Sequence, residues 1–258
     1  MSLLSPNYIL GLFLIFVRVS SLIMTAPYFN SAAFPRRVKL FFSLILSFIL
    51  AFVIPEESVM GAIVPTLPFI ATAIVLELLV GVAMGLIGQL IFAGFEMAGR
   101  LISLKITLSF AQIVNAMTQQ KTDIVGNIFT MLAILIFLAM DGDKILINGL
   151  VKSFEVIPLN QAELKQAGPY MLEVANYLFV IAVQIAAPFL VVLFILDLSL
   201  AIFARVMPQA NIMFIAIPIK LLLGFSLLSW MLPYTPDAFG KMFDQLFQYL
   251  VKLIGIMG

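Results

Sequence analysis

Apolar residues run along this chain in long, nearly charge-free blocks at 8–24, 40–54, 69–95, 124–140, 177–202 and 212–232. About 20 apolar residues carry a helix across the hydrocarbon layer of a bilayer. The pattern therefore predicts an all-α membrane protein, a single integral-membrane domain over residues 1–258. The block at 69–95 exceeds a span, and those at 40–54 and 124–140 fall short of one. Such uneven lengths predict a bundle other than a row of upright helices. Two further stretches are amphipathic. Phe239, Met242, Phe243, Leu246, Phe247, Leu250 and Leu253 recur at helical spacing, with Asp237, Lys241, Asp244, Gln248 and Lys252 on the other face. This predicts an amphipathic C-terminal helix over 237–254 that lies in the membrane interface or docks on a partner. Residues 144–157 carry a weaker stripe of the same kind.

The blocks are interrupted midway. Residues 101–122 interleave Ile106, Leu108, Phe110, Ile113, Val114 and Met117 with hydroxyls and amides. That stretch is too polar for hydrocarbon and stickier than a solvated loop. It is either a plain connection or a segment packed in a protein cavity at membrane depth, where irregular backbone is allowed only if protein or water satisfies it.

Composition narrows the chemistry. Of 258 residues, 63% are hydrophobic and 10% charged, against about 45–50% and about 25% in a soluble domain. The net charge of +1 gives no field to gather nucleic acid. Without cysteine there is no disulfide or thiolate metal site, and without histidine the commonest general base and metal ligand is missing. No cofactor and no metal are expected. Residues 1–7 lack a basic run, and Thr25-Ala26-Pro27 is a poor cleavage site, so no cleavable signal is expected. Arg36, Arg37, Lys39, Arg100, Lys105, Lys121 and Arg205 fall in alternate connections. The positive-inside rule places those in the cytoplasm and both termini outside.

Five ionisable residues lie within or beside the apolar blocks: Arg18, Glu77, Asp197, Arg205 and Lys220. Each costs about 2.5–3.5 kcal/mol on insertion scales. Pairing across the bundle or snorkelling is the expected remedy, and an ion or proton path is the competing reading. Asp197 and Arg205, two turns apart, could flank one site without touching. Glu77, Gly81, Gly85 and Gly88 share one helical face. There, small residues permit close packing within the chain or against another subunit. Asp141-Gly142-Asp143 reads as a turn. No nucleophile elbow, phosphate-cradling loop or His-Glu-x-x-His is present, and an enzyme is not expected.

Between the last two blocks runs Ala204-Arg205-Val206-Met207-Pro208-Gln209-Ala210-Asn211-Ile212. Pro208 lacks an amide hydrogen and biases Met207 away from helix. Gln209 and Asn211 could bond the freed carbonyls. Pro218 is expected to break or kink the next helix. The stretch reads as a tight, polar-stitched hairpin.

These residues resemble the FliR family of bacterial flagellar export proteins, whose injectisome relatives serve virulence secretion. Arg205, Pro208, Gln209, Asn211 and Ile212, then Pro218 and Lys220, fit its Arg-x-x-Pro-Gln-x-Asn and Pro-x-Lys pattern. Phe16, Arg18, Pro27, Phe29, Pro35, Val38 and Lys39 fit its opening. Glu77-Leu78-Leu79-Val80-Gly81 with Gly85 fits its third segment. Met213 stands where Phe is usual and Lys39 where Arg is usual. The resemblance spans the whole chain. It implies that the central stretch is a plug closing a secretion pore, with Ile106, Leu108, Ser109, Phe110, Ala111, Val114, Asn115 and Met117 in it. Thr107, Asn115 and Ala116 depart from the family's Gly, Asp and Pro. The resemblance also implies kinked helical hairpins forming one subunit of a helical export-gate assembly. Its partners would be FliP-like, FliQ-like and FlhB-like subunits, unfolded export substrates and membrane lipid, with no nucleic acid. Its place would be the bacterial inner membrane, at the flagellar basal body. Arg18, Glu77, Gly81, Gly85, Arg205, Pro208, Gln209, Asn211, Pro218 and Lys220 would serve structure and assembly. A secondary transporter with broken helices and a midplane site remains the alternative, drawing on Pro188, Pro208, Pro218 and Asp197.

Overall fold

A computed structural model describes residues 6–27, 29, 35–54, 66–106, 124–209 and 211–258. The described residues are helical, without a strand. In chain order the helices are α1 (Pro6–Thr25), α2 (Arg36–Val53), α3 (Leu67–Lys105), α4 (Ile124–Ala139), α5 (Gly142–Val156), α6 (Ala167–Val206), α7 (Ile212–Met231) and α8 (Thr235–Met257). A single 3-10 turn, Leu232–Tyr234, joins α7 to α8.

The helices do not follow the six apolar blocks one for one. Among the described residues, four helical runs are long and apolar enough to cross a membrane: Asn7–Thr25, Leu67–Lys105, Ala167–Val206 and Phe214–Met257. Ile124–Ala139 with Gly142–Val156 makes a fifth if the pair counts as one broken span. The α2 helix is not among them, because Arg36, Arg37 and Lys39 occupy its first turn and it is only 18 residues long. The α3 helix runs past the predicted end at Phe95 to Lys105. Residues 101–105, expected in the central stretch, are therefore its last turn. Between α4 and α5 the chain breaks at Asp141, whose φ of 56° is left-handed. Lys144 bonds that carboxylate at 2.7 Å. Asp141 thus lies in the turn its composition indicated, and Gly142 and Asp143 begin α5.

Neither internal proline ends its helix. The α6 helix continues through Pro188 and α7 through Pro218. A proline removes one helical hydrogen bond and crowds the preceding turn. Here the long apolar flanks keep the helix continuous on both sides.

The chain forms two compact units. The first comprises Met1–Leu90, Phe137–Asn176 and Phe243–Gly258; the second comprises Ile91–Ile136 and Tyr177–Met242. In the first, α1 is the central element. Leu14, Ile15, Arg18 and Val19 are fully buried. The α2 helix packs on α1 and has inverted polarity: it buries Lys39, Ser43, Ser47 and Leu50 and exposes Phe41, Phe48 and Phe52. Its serine hydroxyls are met within the helix, Ser43 donating to the Lys39 carbonyl at 2.7 Å and Ser47 to the Ser43 carbonyl at 2.6 Å. The two serine hydroxyls of this stripe can therefore face the interior with their donors met.

The C-terminal helix corrects one expectation. Its apolar stripe is not left for lipid or a partner. Phe243, Leu246 and Leu253 are fully buried. In the first unit the Phe243 ring lies 5.3 Å from that of Phe137. The Met257 carbonyl accepts from the Glu163 amide at 2.8 Å. In the second unit Phe239 lies 4.2 Å from Phe95 and 6.2 Å from Phe129. The stripe has the expected helical spacing, and what covers it is the chain itself.

Candidate functional site

The best-defined polar site sits in the first unit, where α1, α3 and α5 meet the turn after α5. Arg18 and Glu77 are both fully buried, and Nε donates to Oε2 at 2.5 Å. The guanidinium has further donors to satisfy. Nη1 donates to the Ser153 carbonyl at 3.0 Å and to its hydroxyl at 3.3 Å, and Nη2 to the Ile157 carbonyl at 3.1 Å. Its Cζ lies 4.2 Å from the centre of the Phe154 ring. The other carboxylate oxygen, Oε1, accepts the Asn160 amide at 3.0 Å. Asn160 has a φ of 64°, a left-handed conformation that asparagine tolerates better than most residues. This aims its N–H at Glu77. One arginine thus ties the last turn of α5 to α1, and one glutamate ties α3 and the following turn to the same point.

This settles how two of the five out-of-place charges are met: Arg18 pairs with Glu77 across the bundle. Sequence reading missed Ser153, Phe154, Ile157 and Asn160. Three of these contribute backbone atoms, which carry no side-chain signature.

The glycine face lies directly along α1. A Cβ on Gly81 would overlap Ser21 Oγ and the Arg18 carbonyl, and one on Gly85 would overlap the Thr25 side chain. Gly88 faces Pro27. Of the two packings open to this stripe, the contacts found are within the chain. They bring α3 close enough to α1 for the ion pair to form.

A second ion pair lies in the second unit. Lys220 Nζ on α7 meets Asp197 Oδ1 on α6 at 2.5 Å. Asp197 therefore pairs with Lys220, while Arg205 stands exposed at the end of α6. The hairpin between α6 and α7 carries Pro208 and Gln209 in an exposed turn. Asn211 is the N-cap residue of α7 and makes no side-chain cap bond. Pro218 is exposed on α7.

Of the central stretch, only its first part is described. Ile106 is fully buried, and a Cβ on Gly224 would fall against it. Leu108, Ser109, Phe110, Ala111, Val114, Asn115 and Met117 lie outside the described residues.

The sequence matches the family model of bacterial export proteins, family 1, over residues 9–246. The chain belongs to the FliR family of bacterial export proteins. The flagellar biosynthetic protein FliR of Caulobacter vibrioides is 32% identical over 217 residues, which is 84% of this chain and 86% of that protein. The FliR of Escherichia coli is 31% identical over 240 residues, covering 92% and 90%. That of Aquifex aeolicus is 30% identical over 254 residues, covering 96% of each. The family match takes in both ion pairs, the glycine face and the α6–α7 hairpin. It shows a bacterial export protein whose apolar helices suit a membrane location.

Proposed function

We propose that this chain is a non-enzymatic core subunit of the flagellar type III protein export gate, lining and closing its secretion pore. The observation that carries this reading is the family match over residues 9–246, with FliR proteins aligned over most of their own length. On this reading the gate sits in the bacterial inner membrane at the flagellar basal body. The partners are FliP-like, FliQ-like and FlhB-like subunits, and unfolded substrates pass through. Closure is steric: Ile106, Leu108, Ser109, Phe110, Ala111, Val114, Asn115 and Met117 occlude the path at rest. Such residues exclude water and ions by size and apolarity without any bond being made or broken.

Surface chemistry supports an assembly. Phe214, Leu222, Phe225 and Trp230 on α7 are all half or more exposed. Exposed apolar side chains of that size along one helix suit lipid or another subunit. The transporter alternative is weaker. Its broken helices are not found at Pro188 or Pro218, and the Asp197 carboxylate is engaged by Lys220.

Two experiments test the reading. Produced alone in detergent, the chain should be disperse; produced with its FliP-like and FliQ-like partners it should be monodisperse in one complex. A stable monomer that transports a small solute overturns the proposal. Deleting residues 108–116 should make cells carrying the assembled complex permeable to ions or small solutes. Unchanged permeability would reduce the stretch to a connector.

A further inference from the structure

The start of α2 concentrates positive charge that no described residue answers. Arg36, Arg37 and Lys39 stand in its first turn, and the first carboxylate side chain in the sequence is Glu56, beyond the other end of the helix. Arg36 and Arg37 are exposed. Among the described residues, no carboxylate pairs with any of the three cations. Lys39 is only 8% exposed, yet its ammonium has no hydrogen-bond partner among the described residues. The N-cap is Pro35, which makes no side-chain cap bond. The helix dipole places further positive charge at this same end, so three cations there repel both one another and the helix. An anion at this point relieves all of these repulsions.

Arg37 also heads a row. Phe41, Leu44, Phe48 and Phe52 follow it at helical spacing along one side of α2. All four are between 57% and 71% exposed. The serines of the opposite side are the ones that α2 buries. At about 1.5 Å per residue, the row from Phe41 to Phe52 is about 17 Å long, close to the half-thickness of a bilayer's hydrocarbon layer, about 15 Å. A cationic head above an apolar row one leaflet deep matches a molecule with an anionic headgroup joined to acyl chains. A protein helix would cover the row as well, but it would have to bring a separate anion to the arginines.

We propose that α2 holds an anionic phospholipid, with the phosphate at Arg36 and Arg37 and the acyl chains along Phe41, Leu44, Phe48 and Phe52. A guanidinium donates two parallel hydrogen bonds to phosphate oxygens. The amides of Arg36 and Arg37 precede the first intrahelical bonds, which the Val38 and Lys39 amides make to the Pro35 carbonyl, so they are open to the same ligand. Lys39 adds a third positive charge to the site. The inverted polarity of α2 then has a cause: its outward face is built for acyl chains and its inward face for α1. The inference rests on the membrane location of the chain and does not need the pore reading.

The test uses the full chain, co-produced with its FliP-like and FliQ-like subunits and placed in phosphatidylcholine vesicles. A small fraction of the lipid carries a photoreactive acyl chain, on phosphatidylglycerol in one sample and on phosphatidylcholine in the other. After irradiation, the phosphatidylglycerol probe should label the 36–53 segment about thirtyfold more than the phosphatidylcholine probe, the factor expected for two basic residues at a membrane surface. Arg36→Gln/Arg37→Gln should remove that preference and leave the amount of protein in the membrane unchanged, since both side chains are exposed and without a carboxylate partner among the described residues. If the double variant does not accumulate, the comparison of the two probes on the wild-type chain decides. Equal labelling by both probes, a preference that survives the double substitution, or an α2 that neither probe reaches because protein covers it, each overturns the inference. Failure of the wild-type chain to join any complex would instead overturn the export-gate reading, and the lipid comparison on the chain alone would still stand.

Discussion

Arg18 Nε donates to Glu77 Oε2 at 2.5 Å, and neither side chain has any exposure. Two charges taken out of water are costly, and their attraction repays the cost only when the remaining donors and acceptors are met. Here they are. The Ser153 and Ile157 carbonyls take the two Nη groups, and the Asn160 amide serves the second carboxylate oxygen. The pair acts less as a source of net stability than as a registration point. It fixes α1, α3 and α5 at one level, because a shift of any one by a turn would strand a buried charge.

The first prediction follows from that asymmetry. Glu77→Ala leaves the Arg18 guanidinium buried without its carboxylate, and removing one partner of a buried pair costs about 3–5 kcal/mol. Replacing both by methionine should cost clearly less. Thermal unfolding of the purified complex would show it. A double variant no better than the single one would mean that the surrounding hydrogen bonds, and not the pair, set the cost.

Gly81 gives the second. Its missing side chain is what lets α3 reach the Arg18 carbonyl and Ser21 Oγ. Gly81→Ala should destabilise the first unit by about 1–3 kcal/mol, as overpacking does. Ser21→Ala should recover only part of this, since the backbone carbonyl remains in the way. The same melting measurement in Gly81→Ala, Ser21→Ala and the double variant checks it, and complete recovery would place the clash on the hydroxyl alone.

How far the sequence foretold this depends on which atoms do the work. Helix identity and the helical spacing of the glycine face were readable, because apolar periodicity and small-residue spacing are properties of the side chains themselves. The pairing of Arg18 with Glu77 was readable only as a need, since many partners could have met it. Its completion by the Ser153 and Ile157 carbonyls was not readable, because every residue carries that group. The C-terminal stripe shows the same limit differently. Periodicity shows that Phe243 and Leu250 share a face but not what covers it, and lipid, a partner and the chain's own helices are equally apolar. At Pro188 and Pro218 local preference lost to context. The local cost of each proline is a few kcal/mol at most, and long apolar flanks that must keep their backbone bonds paired outweigh it.

The third prediction concerns that stripe. Phe243 is fully buried beside Phe137, and a Cβ on Gly149 would collide with Leu250. Phe243→Ala should cost about 3–5 kcal/mol and Leu250→Ala about 2–5 kcal/mol, the range for emptying core sites. A tail lying in the membrane interface would instead unfold as wild type does and lose only lipid affinity. Melting of both variants, with vesicle binding of the isolated 235–258 peptide as control, separates the two.

The last prediction concerns Ile106 and Gly224, both in the second unit. Ile106 is fully buried, and its side chain fills the space that a Cβ on Gly224 would take. The isoleucine is β-branched and stiff about its first side-chain torsion, so it has little freedom to retreat. Gly224→Ala should therefore push α3 and α7 apart at this point, at a cost of about 1–3 kcal/mol. Shortening the opposing residue should relieve it: Gly224→Ala with Ile106→Ala ought to be more stable than Gly224→Ala alone, although Ile106→Ala alone is destabilising. That sign reversal is the signature of direct contact, because substitutions at distant sites add instead of compensating. A double-variant cycle on thermal unfolding measures it, and an interaction energy of zero would show that Ile106 and Gly224 do not hold each other. The permeability of cells carrying Gly224→Ala adds a functional reading. Ile106 is the root of the proposed closing segment, so a displaced root should raise leakage, and the compensating change at Ile106 should lower it again.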